Sequence, residues 1–288
     1  MARLRLEWPQ RKRAMDPKRG PTPGEDQFLD QMSRELAGWS DPLERLNQAL
    51  ERDELQLFCQ PVLRLRAPRQ FVMAEVLVRL REEEALMLPP GDFLPVFEHF
   101  GMMPDLDRWV VSRVVRWLAG APPGGFRSFS VNVSVQTIGD AEFPGFVARA
   151  LRAQKIPPAA LTFEVEEASV LARAESAAEF AAAVKQAGCK VLIDGFGQRS
   201  VSFAPLKTLR ADFVKVDGSI VRNVLKSPVA QQKLKAVVRV GEAIGVGVIA
   251  ECVEEAGVLA RLGALGVGYA QGFGIARPAP IGQRPAPY

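Results

Sequence analysis

From residue 55 onward the chain is a regular alternation of short apolar runs and longer amphipathic stretches, and few folds tolerate that rhythm. The apolar runs lie at 55–59, 71–78, 128–133, 161–165, 190–193, 212–216, 247–250 and 268–271. Helical periodicity fills most of the gaps, at 105–118, 143–154, 172–186, 230–244 and 254–265. Several runs are apolar at every position, as in parallel strands covered on both faces. Eight such strands alternating with helices predict an α/β fold, a TIM-like (β/α)8 barrel, with a doubly wound sheet as the alternative. The stretch between the first two runs is too short for a helix. A parallel pair needs a crossover of a dozen residues or more, so these two strands are expected to pair antiparallel and give the barrel an irregular start.

The chain ahead of the barrel reads differently. Residues 1–25 hold Arg3, Arg5, Arg11, Lys12, Arg13, Lys18 and Arg19 against only Glu7, Asp16 and Glu25, with Pro17, Pro21 and Pro23 in the same stretch. This predicts a disordered basic tail rather than a secretory signal, which would need an apolar stretch after the charges. Residues 26–52 carry two helical patterns broken at Trp39-Ser40-Asp41-Pro42. The barrel domain is expected over 53–288. Of the net charge of +4, most resides in the tail, so the body is close to neutral and no DNA or RNA partner is expected. No run approaches the length of a membrane span. The cysteines, Cys59, Cys189 and Cys252, are odd in number and lack metal-ligand spacing, which fits a reducing, cytoplasmic setting. His99 is the only histidine, and it lies at a helix end, so histidine-based catalysis and zinc hydrolysis are not expected. There is no phosphate-cradling glycine loop of the mononucleotide or dinucleotide type.

In a barrel of this kind chemistry gathers at the C-terminal ends of the strands. The polar residues expected there are Gln60, Glu75, Arg79, Asn132, Ser134, Glu164, Glu167, Asp194, Lys215, Asp217, Glu251, Glu254 and Gln271. Each has a simpler reading when taken alone. Glu75 could pair with Arg79, Asn132 could satisfy loop backbone, Asp217 could cap the next segment, and Glu254 could be a first-turn helix acid. Taken together they exceed what a packed barrel needs at its rim. Glu75, Asn132, Glu164 and Asp194 are hard oxygen donors beside apolar strands and suit Mg2+ or Mn2+. Lys215 and Arg79 add the positive charge that a phosphate ligand requires.

These residues, in this order, resemble the EAL family of cyclic di-GMP phosphodiesterases from about residue 55 to 280. The signature Glu-Ala-Leu-Leu-Arg is similar to Glu75-Val76-Leu77-Val78-Arg79. Phe58-Cys59-Gln60-Pro61, Val131-Asn132-Val133-Ser134, Phe163-Glu164-Val165-Glu166-Glu167, Val214-Lys215-Val216-Asp217, Ala250-Glu251-Cys252-Val253-Glu254 and Gln271-Gly272-Phe273 match the family's other strand ends. The resemblance implies that Glu75, Asn132, Glu164 and Asp194 hold one metal. Lys215 would orient the attacking water, aided by Glu251. Gln60, Leu77, Arg79, Asp194, Lys215, Glu254 and Gln271 would contact the dinucleotide, and Glu167 would brace the loop after the fifth barrel strand. It also implies pairing of barrels through helices near the fifth and sixth strands, as in many relatives. No second signalling segment is legible, so regulation is expected from the N-terminus or from an unidentified protein partner.

One segment departs from the family. Its Asp-Asp-Phe-Gly-Thr-Gly-Tyr-Ser-Ser reads here as Asp194-Gly195-Phe196-Gly197-Gln198-Arg199-Ser200-Val201-Ser202. The second aspartate, a ligand of the second metal, is Gly195, so that site is expected to be lost while Mg2+ or Mn2+ at the first is retained. Arg199 could face solvent or stand in for the lost cation. The expectation is a degenerate member that binds cyclic di-GMP as a signal with lost or weak hydrolysis. The alternatives are an active Mg2+- or Mn2+-dependent phosphodiesterase giving pGpG, and an interaction module that needs no ligand.

Overall fold

The computed structural model describes residues 41–81, 87–122, 125–199 and 201–283. The basic tail of 1–25 and the first helical pattern, 26–40, lie outside the described residues. The chain divides into two units, Met1–Pro42 and Leu43–Tyr288, and the barrel is built by the second.

The strands are β1 (Leu55–Arg64), β2 (Gln70–Arg81), β3 (Met87–Leu88), β4 (Phe129–Asn132), β5 (Leu161–Glu166), β6 (Lys190–Phe196), β7 (Phe213–Val216), β8 (Gly247–Ala250), β9 (Tyr269–Ala270) and β10 (Ala279–Pro280). The helices are α1 (Pro42–Glu51), α2 (Pro90–His99), α3 (Met103–Gly120), α4 (Val135–Ile138), α5 (Phe143–Ala153), α6 (Glu167–Ala172), α7 (Ala174–Gln186), α8 (Ala204–Leu209), α9 (Gly218–Val221), α10 (Pro228–Ile244) and α11 (Ala256–Ala264).

Strands β2, β4, β5, β6, β7, β8 and β9 follow one another in parallel. Strand β1 closes the ring by pairing antiparallel with both β2 and β9. The result is the expected eight-stranded barrel with an antiparallel first strand. The short cores Phe-Val-Lys-Val and Gly-Val-Ile-Ala are β-branched or apolar almost throughout because helices cover the outside and side chains fill the inside. In α7, Ala177, Phe180, Ala181 and Val184 recur at helical spacing and are buried, while the alanines favour the helix intrinsically. Ser227 starts α10 by accepting from the Ala230 N–H, Pro228 takes the first turn, and Gly245 ends the helix in the left-handed conformation.

Three expectations need correction. The first strand does not end at Gln60: it runs on through Pro61 to Arg64. Because β1 is antiparallel, Gln60 lies mid-strand and opposite Glu75, so it reaches the mouth by register and not by ending a strand. The helix expected over 172–186 starts two residues later, at Ala174, because Arg173, with φ −138°, separates it from the short α6. Glu254 is not a first-turn helix acid, since α11 begins at Ala256.

Inside the barrel, Val62, Met73, Leu192 and Ile249 form an apolar layer. Strand alternation places Gln60, Glu75, Asp194 and Glu251 on the same face as these residues, one step nearer the C-terminal mouth.

Candidate functional site

The polar residues of the mouth are organised around a buried cation. Lys215, on β7, is 2% exposed and leaves its strand toward the barrel axis. Its ammonium donates to Glu164 Oε2 at 2.5 Å and to Glu75 Oε2 at 2.9 Å, and lies 3.6 Å from Asp194 Oδ1. Burial alone would discharge the lysine, but the Glu164, Glu75 and Asp194 carboxylates together hold its ammonium well above the usual lysine range. Burial would likewise raise Glu75, yet Lys215 and the Asn132 and Gln271 amides hold it below its ordinary value. Glu164 is pushed up to about 8, chiefly by burial, with the charge of Glu75 and then of Asp194 adding to the effect against Lys215. Three acids around one lysine leave excess negative charge, which adds to the effect of burial on Glu164.

Amides tie this cluster to the barrel's closing seam. Glu75 accepts from Asn132 Nδ2 at 3.1 Å and from Gln271 Nε2 at 2.8 Å. Gln271 also donates to Gln60 Oε1 at 3.2 Å, and Gln60 Nε2 donates to the Ala276 carbonyl at 3.0 Å. Glu75 is therefore paired with Lys215 and not with Arg79. The Arg79 guanidinium donates to the Val78 carbonyl at 2.9 Å and stands 5.7 Å from the Phe58 ring centroid. Among the described residues it has no carboxylate partner. Leu77 lies opposite Phe58 across the same strand pair and is half-buried.

The outer residues brace loops. Glu251 accepts from the Gly218 N–H at 2.7 Å, and its carboxyl is raised to about 7 by burial, with Asp194 adding. Asp217 caps α9 through the Ser219 N–H at 2.8 Å. Glu254 is exposed. The turn after β9 passes so close to Val253 that a Cβ on Gly272 would lie 2.2 Å from its backbone, so only glycine fits there. Cys252 keeps a left-handed backbone, φ 55°.

The departure at Gly195 has a structural counterpart. Ile193 pairs with Val214 and Phe196 with Val216, so Asp194 and Gly195 occupy a register shift at the C-terminal end of β6. Gly195 has φ +65°, and a Cβ built there meets nothing within 4 Å. Glu167 Oε2 accepts from the Gly197 N–H at 3.0 Å, tying this loop to the start of α6. Gln198 and Arg199 are exposed, and Ser200 lies outside the described residues.

The donor chemistry fits one cation. Glu164 Oε1 and Asp194 Oδ1 are buried and accept no hydrogen bond, the signature of oxygens suited to a positive partner. As they stand among the described residues, no three His, Cys, Asp and Glu side chains form a ready metal cage, because Lys215 holds the central position. Any divalent ion would compete with that ammonium for the same carboxylates.

One contributor is not evident from the strand pattern. Asp107 on α3 is buried and accepts from the Ser134 N–H at 3.0 Å and from Thr137 Oγ1 at 2.5 Å, which fixes the turn that follows Asn132. An acid flanked by Leu106, Val110 and Val111 on the covered face of a helix was the available signal. Burial raises Asp107 to about 6. The folded protein then binds a proton that the unfolded chain has released, so this group's contribution to stability falls as pH rises from about 4 to 6. Asp107→Asn should flatten the pH dependence of urea-unfolding free energy between pH 4.5 and 7 by on the order of 2 kcal/mol. Parallel curves for the two proteins would show that Asp107 is ionised throughout.

Comparison with known proteins agrees with the geometry. The EAL domain family matches residues 43–278. The cyclic di-GMP phosphodiesterase PdeF of Escherichia coli is 31% identical over 251 residues, 87% of this chain and 33% of PdeF. The chain thus spans about a third of the length of the named phosphodiesterases it matches. The FimX EAL domain of Pseudomonas aeruginosa, solved bound to cyclic di-GMP, superposes with a TM-score of 0.75 at 29% identity, over 83% of this chain and 97% of that one. The PaMucR phosphodiesterase, also a cyclic di-GMP complex, superposes with a TM-score of 0.74 at 28% identity and the same coverage. With the family match spanning most of the chain, and with the barrel, its reversed first strand and its acidic mouth in place, the chain belongs to the EAL domain family.

Proposed function

We propose that this EAL domain binds cyclic di-GMP at the C-terminal mouth of its barrel and acts as a signalling receptor with weak or no hydrolysis. The observation that carries this reading is the selective loss at Gly195. A side chain that could serve a second cation is missing, while Lys215, Glu75, Gln271, Gln60 and Arg79 keep an ordered, charged mouth. The cyclic di-GMP complexes of the FimX and PaMucR relatives support the choice of ligand. Arg79, stacked near Phe58 and without an acid partner among the described residues, is suited to a phosphate beside a base. Glu75, Asn132, Glu164 and Asp194 would hold one Mg2+ or Mn2+, which when bound supplies Lewis-acid charge at a phosphodiester oxygen. The thiols of Cys59, Cys189 and Cys252 are unpaired and fit a reducing, cytoplasmic setting.

The buried, unsatisfied oxygens of Glu164 and Asp194 favour a second reading, an enzyme with slow turnover on one cation. Calorimetry with cyclic di-GMP, with and without Mg2+, followed by product analysis, separates the two. The receptor binds at micromolar or lower ligand and releases little pGpG. Turnover comparable to an intact EAL phosphodiesterase refutes it. Absence of heat at high ligand refutes both readings and leaves a ligand-independent interaction module. Arg79→Ala should weaken binding by about tenfold or more through loss of a charge-assisted phosphate contact, with the thermal midpoint little changed. An unchanged dissociation constant would remove Arg79 from the ligand site.

A further inference from the structure

The barrel has a second open end. Where the parallel strands begin, on the far side of the apolar layer from the acidic mouth, lies a cavity of about 610 Å3. Its charged lining is Arg64, Arg66, Lys190, Asp212 and Glu242, and its aromatic wall is Phe213 with Tyr269.

The acids in this lining are already engaged. Asp212 Oδ2 accepts from Lys185 Nζ at 2.6 Å and from the Val191 N–H at 2.9 Å, and Glu242 pairs with Arg66 at 2.5 Å. The remaining two cations meet no carboxylate among the described residues. Arg64 donates to the Pro68 carbonyl through Nε and Nη2, which leaves Nη1 uncommitted, and Lys190 Nζ stands 5.8 Å from the Phe213 ring centroid. Two half-buried cations without counter-charge beside one cavity attract an anion. The Phe213 and Tyr269 rings meet edge to face at 5.6 Å, so one ring presents its flat side where the other presents its edge. Gly247 makes this arrangement possible, because a Cβ there would lie 2.6 Å from Phe213 and 3.1 Å from Tyr269.

We propose that this cavity is a second ligand site, for a nucleoside monophosphate, with the phosphate at Arg64 and Lys190 and the base against the Phe213–Tyr269 wall. It is separate from the acidic mouth yet built on the same strands. Lys190 and Asp194 share β6, Phe213 and Lys215 share β7, and Arg64 and Gln60 share β1, each pair on one face at even spacing. The inference does not depend on what the mouth binds.

The test titrates the full chain with GMP, AMP and inorganic phosphate by calorimetry, and repeats the GMP titration in saturating cyclic di-GMP. GMP is expected to bind in the micromolar to sub-millimolar range, more tightly than phosphate, and without displacement by cyclic di-GMP. The double variant R64Q/K190Q, which keeps the aliphatic stems, should weaken GMP by about tenfold or more. Arg79→Ala should leave GMP binding unchanged. Folding of each variant is checked by its thermal melt, and if R64Q/K190Q melts early the single Arg64→Gln variant takes its place. The proposal is overturned by absence of binding at millimolar GMP, by phosphate binding as tightly as GMP, by insensitivity to the charge-removing variant, or by loss of GMP binding in Arg79→Ala or on adding cyclic di-GMP.

Discussion

Gly195→Asp is expected to raise Mn2+-dependent conversion of cyclic di-GMP to linear pGpG by about 10²–10³-fold, the rate equivalent of a few kcal/mol of transition-state stabilisation. Position 195 lies in the register shift of β6 beside Asp194, and space for a side chain exists, since a Cβ meets nothing within 4 Å. The backbone is left-handed, φ +65°, a conformation that aspartate and asparagine adopt more readily than other side chains. Some strain remains, so the variant should lose about 1 kcal/mol of stability while gaining activity. Gly195→Asn is the control: it carries the same backbone strain without the charge, and should lose similar stability without gaining turnover. If Gly195→Asp folds and its turnover stays within twofold of the parent, the missing carboxylate is not what limits hydrolysis. Attention would then move to Gln198 and Arg199.

The second large effect concerns the buried ammonium. Lys215→Met should destabilise the domain by about 3–5 kcal/mol near pH 8, because removing one partner of a buried ion pair strands the others. Glu164 and Glu75 lose the positive charge that offsets their burial. The Glu75 pKa, now held below its ordinary value, rises, that of Glu164, already raised, rises further, and the folded protein binds more protons than the unfolded chain. Stability of the variant must then fall as pH rises, so the deficit grows from pH 5.5 to pH 8. Urea unfolding at the two pH values reads this directly. Adding Glu164→Gln should recover much of the loss at pH 8. A deficit below about 1 kcal/mol at pH 8, of the size seen for exposed pairs, would mean that water reaches the cluster.

The barrel was legible because its two periodicities are strong and its connections short. The antiparallel start followed from the few residues between the first two apolar runs, and the register of β1 against β2 bears it out. Rim residues could be picked out as polar interruptions of apolar strands. Other features depend on contacts that no local pattern encodes. The extension of β1 past Cys59 was hidden by Pro61, which in isolation argues against a strand. The last barrel strand spans only Tyr269–Ala270, and β10 completes the neighbouring length of the seam from Ala279–Pro280, too short a piece to register as a strand. That Lys215 would gather three carboxylates, leaving Arg79 to Phe58, is a consequence of barrel closure, which brings β7 and β2 to a common axis. Asp107 leaves no mark on the strand pattern because it belongs to a helix behind the rim.

The reversed first strand also sets an order in time. Gln60 and Gln271 touch across 211 positions of sequence. As the chain leaves the ribosome, β1 and β2 can form a hairpin early, but the other flank of β1 waits for the final strands. Until they arrive, the nascent sheet has two exposed edges, the features of partly folded chains most open to pairing with a neighbour. Synthesis interrupted shortly before residue 269 would leave the barrel unclosed, with β1 and β8 both lacking the strand that joins them. Such a product should aggregate and be degraded rather than survive as a smaller domain.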